Sequence, residues 1–177
     1  TPLVRASVTK KIAALLSMDE ERFGDYFEIH DLDFDVWNEI EGLEVKPVYS
    51  AHPVETSILF FRAYWDGGYR SYAHFADIAA FKVLESMATN DPAKSGLSNE
   101  RLNRFKQDYL EPATIKKLDI GGGLIHGDAE DFIDDTSAKL LLSHTANPLT
   151  NRQKEIGSNA TFGMQDILIK GLQDYSL

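Results

Sequence analysis

Three side chains with metal-binding donor atoms each stand just beyond an apolar run. His52 follows Leu43 to Tyr49, Asp77 follows Tyr69 to Ala76, and His144 follows Lys139 to Ser143. Imidazole nitrogens and carboxylate oxygens are the donors that divalent transition metals take. Between His52 and Asp77, two strand-like segments, Ser57 to Tyr64 and Tyr69 to Ala76, flank Asp66-Gly67-Gly68. Asp-Gly and Gly-Gly pairs supply the positive φ angles of tight hairpin turns. A hairpin returns the chain to its starting side, so His52 and Asp77 are expected at one end of a sheet, where they can share a metal ion. Pro53 keeps His52 extended, because a residue before proline avoids the α region, and Glu55 and Thr56 stand beside it. In the second strand of the hairpin, His74 has the opposite parity to Asp77 and points away from its side. His74 therefore stays outside the site, and His30 is read as structural.

A second stretch, KKLDIGGGLIHGDAEDF from Lys116 to Phe132, adds His126 and Asp128. Gly121, Gly122 and Gly123 permit unusual backbone angles and close approach of another group. A phosphate cradle would also need a Walker lysine or dinucleotide-fold spacing, and neither follows. Asp128, Glu130, Asp131, Asp134 and Asp135 read as an acidic helix start, favoured by the helix dipole. The run IHDLDFD lacks the glycine and terminal glutamate of a helix-loop-helix calcium site.

The elements that must position these groups follow from pattern. Val4 to Leu16 has helical spacing, with Val8, Ile12 and Leu15 on one stripe. Asp31 to Glu41 alternates acids with Phe34, Val36 and Ile40, as a strand with one wet face would. Leu43 to Tyr49 is the next strand, with Pro47 favouring an edge or a strand end. Ile78 to Met87 reads as a helix. Ser98 is a plausible N-cap for a helix carrying Leu102, Phe105, Tyr109 and Leu110. Lys139 to Leu142 is a short buried strand, Pro148 to Gly157 a loop and polar helix, and Phe162 to Ile169 a last apolar segment. Strands alternating with helices indicate α/β layers rather than a bundle.

Composition narrows the function classes. A 177-residue chain with 43% hydrophobic content can bury a core as one domain over residues 1–177. Its formal charge of −10 argues against broad nucleic-acid binding, which needs a basic surface. The absence of cysteine excludes disulfides and thiolate-rich zinc sites. No apolar run approaches the ~20 residues of a membrane span, and no signal-peptide pattern opens the chain. The expectation is a cytoplasmic protein with no membrane partner.

At these residues the chain resembles the C-terminal half of the metallo-β-lactamase-fold hydrolases. GLEVKPVYSAHPVETSILFF looks like the strand, histidine and strand of that family's third metal motif. RSYAHFADI looks like the strand ending in the metal-bridging aspartate, and KLLLSHTAN like the late strand ending in the last histidine ligand. LIHGDAEDF is similar to the LIHEATF-type segment of the tRNase Z and related phosphodiesterase branch. The likeness runs from about Leu43 to Ala146.

The resemblance implies an αββα sandwich, of which this chain is one half: a mixed sheet with helices packed on one face. It implies two divalent ions, zinc or, in some relatives, iron or manganese. His52 would ligate the first ion, Asp77 would bridge both, and His144 would ligate the second. A shared, activated hydroxide would attack a phosphorus or carbonyl centre. His126 and Asp128, with Asp77, are the candidate catalytic residues, near the family's proton-transfer segment. After the histidine, Gly-Asp-Ala here replaces Glu-Ala-Thr.

The family's HxHxDH motif is absent, and no HxH occurs in the sequence. The chain also begins Thr1-Pro2-Leu3 without methionine. Two expectations follow: a fragment whose N-terminal half lies elsewhere, or a relative that has lost its metal centre and holds no ion by itself. When complete, the chain is expected to be a hydrolase of a small-molecule or phosphodiester substrate. The alternatives are a noncatalytic regulatory or interaction domain of the same fold and a di-iron, oxygen-reactive relative. A fragment also predicts an exposed apolar sheet face, covered by a homodimer partner or by the missing half.

Overall fold

The computed structural model describes residues 2–54, 56–121, 125–145, 147–161, 163–166 and 168, with side chains from Val4 onward. The expectations that fall on Glu55, Gly122, Gly123 and Ala146, and on Phe162, Ile167 and Ile169 of the last apolar segment, lie outside the described residues. The chain divides into two compact units, Thr1–Leu32 and Asp33–Leu177.

The first unit carries the expected helix, α1 (Pro2–Leu15), although Val8 and Leu15 of its apolar stripe are exposed, and a short 3-10 helix, Glu20–Asp25. Ser17 ends α1 in a left-handed conformation at φ 52. That turn lets the Ser17 N–H reach the Ala14 carbonyl at 3.2 Å and the Met18 N–H reach Ala13 at 3.0 Å, a Schellman closure. Phe23 stacks on Phe27 at 4.9 Å, and Arg5 pairs with Asp31 at 2.6 Å.

The second unit is a mixed α/β layer built, among the described residues, on seven strands that lie side by side in sequence order. These are β1 (Asn38–Ile40), β2 (Leu43–Tyr49), β3 (Ser57–Trp65), β4 (Gly68–His74), β5 (Ile115–Asp119), β6 (Leu140–Ser143) and β7 (Ser158–Asn159). β1 to β4 form an antiparallel meander, and β4 to β7 are mutually parallel. Parallel neighbours need crossovers. The first crossover carries α2 (Phe81–Ser86) and α3 (Asn99–Leu110), the second a 3-10 helix (Ala129–Phe132), and the third α4 (Asn151–Ile156). β2, β4, β5 and β6 therefore all run the same way.

The hairpin turn is as read, with Asp66 at φ 47 and Gly67 at φ 78, the two positive angles of a type I′ turn. Ser98 caps α3 by accepting the Arg101 N–H, and Thr150 and Gln153 close a capping box on α4. Pro47 lies in β2 beyond the residues that β1 pairs, so its missing N–H breaks no ladder bond.

Three expectations are corrected. The strand over Asp31 to Glu41 reduces to β1, because Asn38 folds the preceding segment into a turn. Its amide donates to the carbonyls of Asp33, Val36 and Val45, and its Oδ1 accepts the Asp33 N–H. The helix expected from Ile78 begins only at Phe81, because Ala80 is extended at ψ 146 and the Phe81 N–H is held by Asp131 Oδ2 at 2.8 Å. The acidic run yields only the 3-10 helix Ala129–Phe132, capped by the Asp128 side chain.

One sheet face, with Val48, Ile58, Phe60, Ala73, Leu118 and Leu142, packs under Leu84, Leu102, Phe105, Tyr109 and Phe132. Fully burying such a side chain contributes about 1.5–3 kcal/mol. Lys116 also lies in this core, with Nζ donating to the Tyr109 carbonyl and to Asp135, between the rings of Phe75 and Phe132. Burial pushes the Lys116 ammonium below its ordinary range. The opposite face carries an open groove of about 750 Å³ lined by Phe61, Tyr72, Ile115 and Leu141, with Leu43 and Met164 exposed at its rim. His74 belongs to that face, where its Nδ1 meets the Tyr72 hydroxyl at 3.0 Å.

Candidate metal centre

Strands that run the same way bring their C-terminal ends to one edge, and in open α/β sheets ligands gather there. His52 lies just past β2, Asp77 just past β4, Asp119 ends β5, and His144 directly follows β6. The edge is stitched together by backbone and hydroxyl groups. The Ser50 hydroxyl donates to the Asp77 carbonyl at 2.7 Å, and the Ala51 N–H donates to the buried Tyr109 hydroxyl at 2.9 Å. Ser143 Oγ donates to the Leu118 carbonyl at 2.7 Å, and the Ile120 N–H reaches the Ser143 carbonyl at 3.1 Å.

His144 takes φ 61, a left-handed conformation that costs a non-glycine residue about 1–2 kcal/mol. This turn sets its Nδ1 3.0 Å from Asp119 Oδ1 and 3.7 Å from Asp77 Oδ1. Residues held in such conformations cluster where geometry matters to function. His126 comes from the glycine-rich loop after β5, and its Nδ1 lies 3.0 Å from Asp119 Oδ2.

The glycines explain how the loop gets so close. A Cβ at Gly127 would sit 2.4 Å from the Asp119 carbonyl oxygen and 2.9 Å from Ile78 Cδ1. One at Gly121 would meet His126 Cγ at 3.0 Å and Asp119 Oδ1 at 3.1 Å.

Asp77, Asp119, His126 and His144 each present a donor atom, and these four atoms all lie within 4.8 Å of one another. Donors around a four-coordinate ion at about 2.1 Å would be about 3.4 Å apart, so only small side-chain adjustments separate this cluster from a ligand shell. The side chains grade from buried to open: Asp119 is 3% exposed, His126 23%, Asp77 48% and His144 57%. Solvent therefore reaches the cluster from the Asp77 and His144 side.

His52 stands beside the four, its ring 6.2 Å from that of His126. Its Nδ1 lies 3.2 Å from both the backbone nitrogen and the carbonyl oxygen of Val54. Its Nε2 is buried and has no hydrogen-bond partner among the described residues. A buried nitrogen without a partner is costly, and a cation would relieve that cost. The charge balance points the same way. Two carboxylates converge, and among the described residues only imidazoles lie within ion-pairing distance of them.

The sequence names three of the four clustered residues, Asp77 and His144 as metal ligands and His126 as a catalytic candidate, while His52, read there as a ligand of the first ion, stands beside the cluster and not within it. It missed Asp119, because β5 reads Ile-Lys-Lys-Leu-Asp and its two lysines hide the strand whose end Asp119 occupies. Asp128 is not in the cluster. It is exposed, and its Oδ1 accepts the Glu130 N–H at 3.1 Å as an N-cap.

No family model matches the chain, and no curated protein matches it. Among solved structures, the chain is similar to the metallo-beta-lactamase fold protein YhfI from Bacillus subtilis, at 10% sequence identity and a TM-score of 0.40. The alignment covers 69% of this chain and 45% of that one, so the chain spans about half the length of the protein it matches.

Proposed function

We propose that the strand-end cluster holds at least one divalent cation, zinc first and iron or manganese next, and that the chain acts in metal-dependent hydrolysis of a phosphodiester or another ester. The observation that carries this reading is the convergence of two carboxylates and two imidazoles on one sheet edge with no lysine or arginine paired to them among the described residues. His52, Asp77 and His144 would hold the cation, with the orphaned Nε2 of His52 as one donor. A bound divalent cation supplies Lewis acidity toward a phosphoryl or carbonyl oxygen and acidifies water near neutral pH. His126 would carry the proton for the leaving oxygen at Nε2, since its Nδ1 is engaged by Asp119. The open side at Asp77 and His144 admits the substrate, and the buried side at Asp119 keeps the proton carrier fixed.

The test is hydrolysis of bis(p-nitrophenyl) phosphate and p-nitrophenyl acetate by the purified chain with zinc or manganese added. Cation-dependent turnover of either ester, lost in Asp77→Ala, supports the reading. Stoichiometric cation binding without turnover of any ester would favour a noncatalytic regulatory domain instead.

A further inference from the structure

We infer that Asp119 is not a metal ligand but a positioning residue that fixes the ring tautomer of both His126 and His144. The inference rests on the proposed function and adds a residue to it. An ionised carboxylate offers about four acceptor sites, and at Asp119 four nitrogens of this chain face them. Oδ1 accepts the Gly121 N–H at 2.9 Å and faces His144 Nδ1 at 3.0 Å. Oδ2 accepts the Ile78 N–H at 3.4 Å and faces His126 Nδ1 at 3.0 Å. Two of these donors are backbone amides that cannot turn away, and the carboxylate is buried. No lone pair is left over for a cation.

An ionised carboxylate can only accept, so each imidazole must put its proton on Nδ1. That leaves Nε2 of His144 as a free donor and Nε2 of His126 as the atom that exchanges a proton. Carboxylates that orient metal-binding histidines in this way typically control 10–100-fold in metal affinity. The arrangement also accounts for two loop glycines. Gly121 leaves room for the His126 ring against Asp119, and Gly127 lets the loop close over the end of β5.

The test is the long-range proton–nitrogen NMR spectrum of the intact, cation-free protein, which reports the protonation of each ring nitrogen. Protonated Nδ1 in both His126 and His144 is expected, and an unprotonated Nδ1 in either overturns the inference. In Asp119→Asn the amide group must face one ring with its N–H₂, so at least one Nδ1 should lose its proton and zinc affinity by calorimetry should fall 10–100-fold. An Asp119→Asn protein with both tautomers and zinc affinity unchanged also overturns it. Should the variant fail to fold, the wild-type spectrum alone decides. Should the protein bind no cation while both Nδ1 atoms are protonated, the metal reading fails and the role of Asp119 stands.

Discussion

Gly127→Ala is the substitution that most sharply tests how the loop builds the site. The added Cβ would lie 2.4 Å from the Asp119 carbonyl oxygen, where real contacts do not fall below about 3.0 Å, and it would also meet two carbons of Ile78 at 2.9 Å. Neither neighbour can yield, since one is strand backbone and the other is a fully buried core side chain. The loop must therefore lift, and the adjacent residue, His126, lifts with it. Its 3.0 Å contact with Asp119 then stretches beyond hydrogen-bonding range. Overpacking costs about 1–3 kcal/mol, and loss of a hydrogen bond to a charged group about 1.5–3 kcal/mol. The two are one event and not additive, so about 2–4 kcal/mol is expected. At about 2–4 °C per kcal/mol for a chain of this size, the midpoint falls by roughly 5–15 °C. Thermal unfolding by circular dichroism measures it, with Gly24→Ala as control, because nothing lies within 4 Å of a Cβ there. A Gly127→Ala protein that melts within 2 °C of wild type would refute the packing argument.

Further outcomes follow from other parts of the molecule. Asp77→Ala should lose cation binding and ester hydrolysis together while keeping its midpoint, since Asp77 is half exposed and its only ion-pair contact among the described residues is His144. Metal analysis and the ester assay check this. Burial, partly offset by the Phe81 N–H, raises the Asp131 carboxyl above its ordinary 3.8. Just above that value the native state keeps a proton that the unfolded chain has released. The stabilising contribution is therefore full below 3.8 and is lost as pH rises through the raised value. Asp131→Asn keeps an acceptor for Phe81, so it should gain in midpoint at neutral pH and gain little in acid; urea titrations at both pH values decide. Asp135→Ala strands the buried Lys116 ammonium and should cost about 3–5 kcal/mol, whereas the double change Lys116→Met with Asp135→Leu should recover most of that loss.

Much of this molecule is legible in the chain because the signals are local. Asp66 and Gly67 dictate a turn type, Ser98 dictates a helix start, and apolar runs mark β2, β3, β4 and β6. The strand-end rule then finds Asp77 and His144. What escaped was decided by partners distant in sequence. Asn38 turns a strand-like pattern into a loop by reaching backbone on both sides of itself. Asp131, fifty residues on, takes the Phe81 N–H and fixes the start of α2 there. Asp119 looked like the polar end of a strand, and its importance appears only when loops from after β5 and β6 fold back over it. The acidic run from Asp128 has the pattern of a helix start, but most of its carboxylates serve short caps and contacts, as Asp131 does for Phe81 and Asp135 for Lys116.

The central claim is that His52, Asp77 and His144, just past the ends of three strands that run the same way, hold a divalent cation. Calorimetric titration of zinc into chelator-treated protein addresses it most directly. The account predicts saturable, stoichiometric binding that raises the unfolding midpoint and disappears in a His52→Ala, Asp77→Ala, His144→Ala triple variant. Heat no different from buffer, or binding that survives the triple variant undiminished, would contradict it.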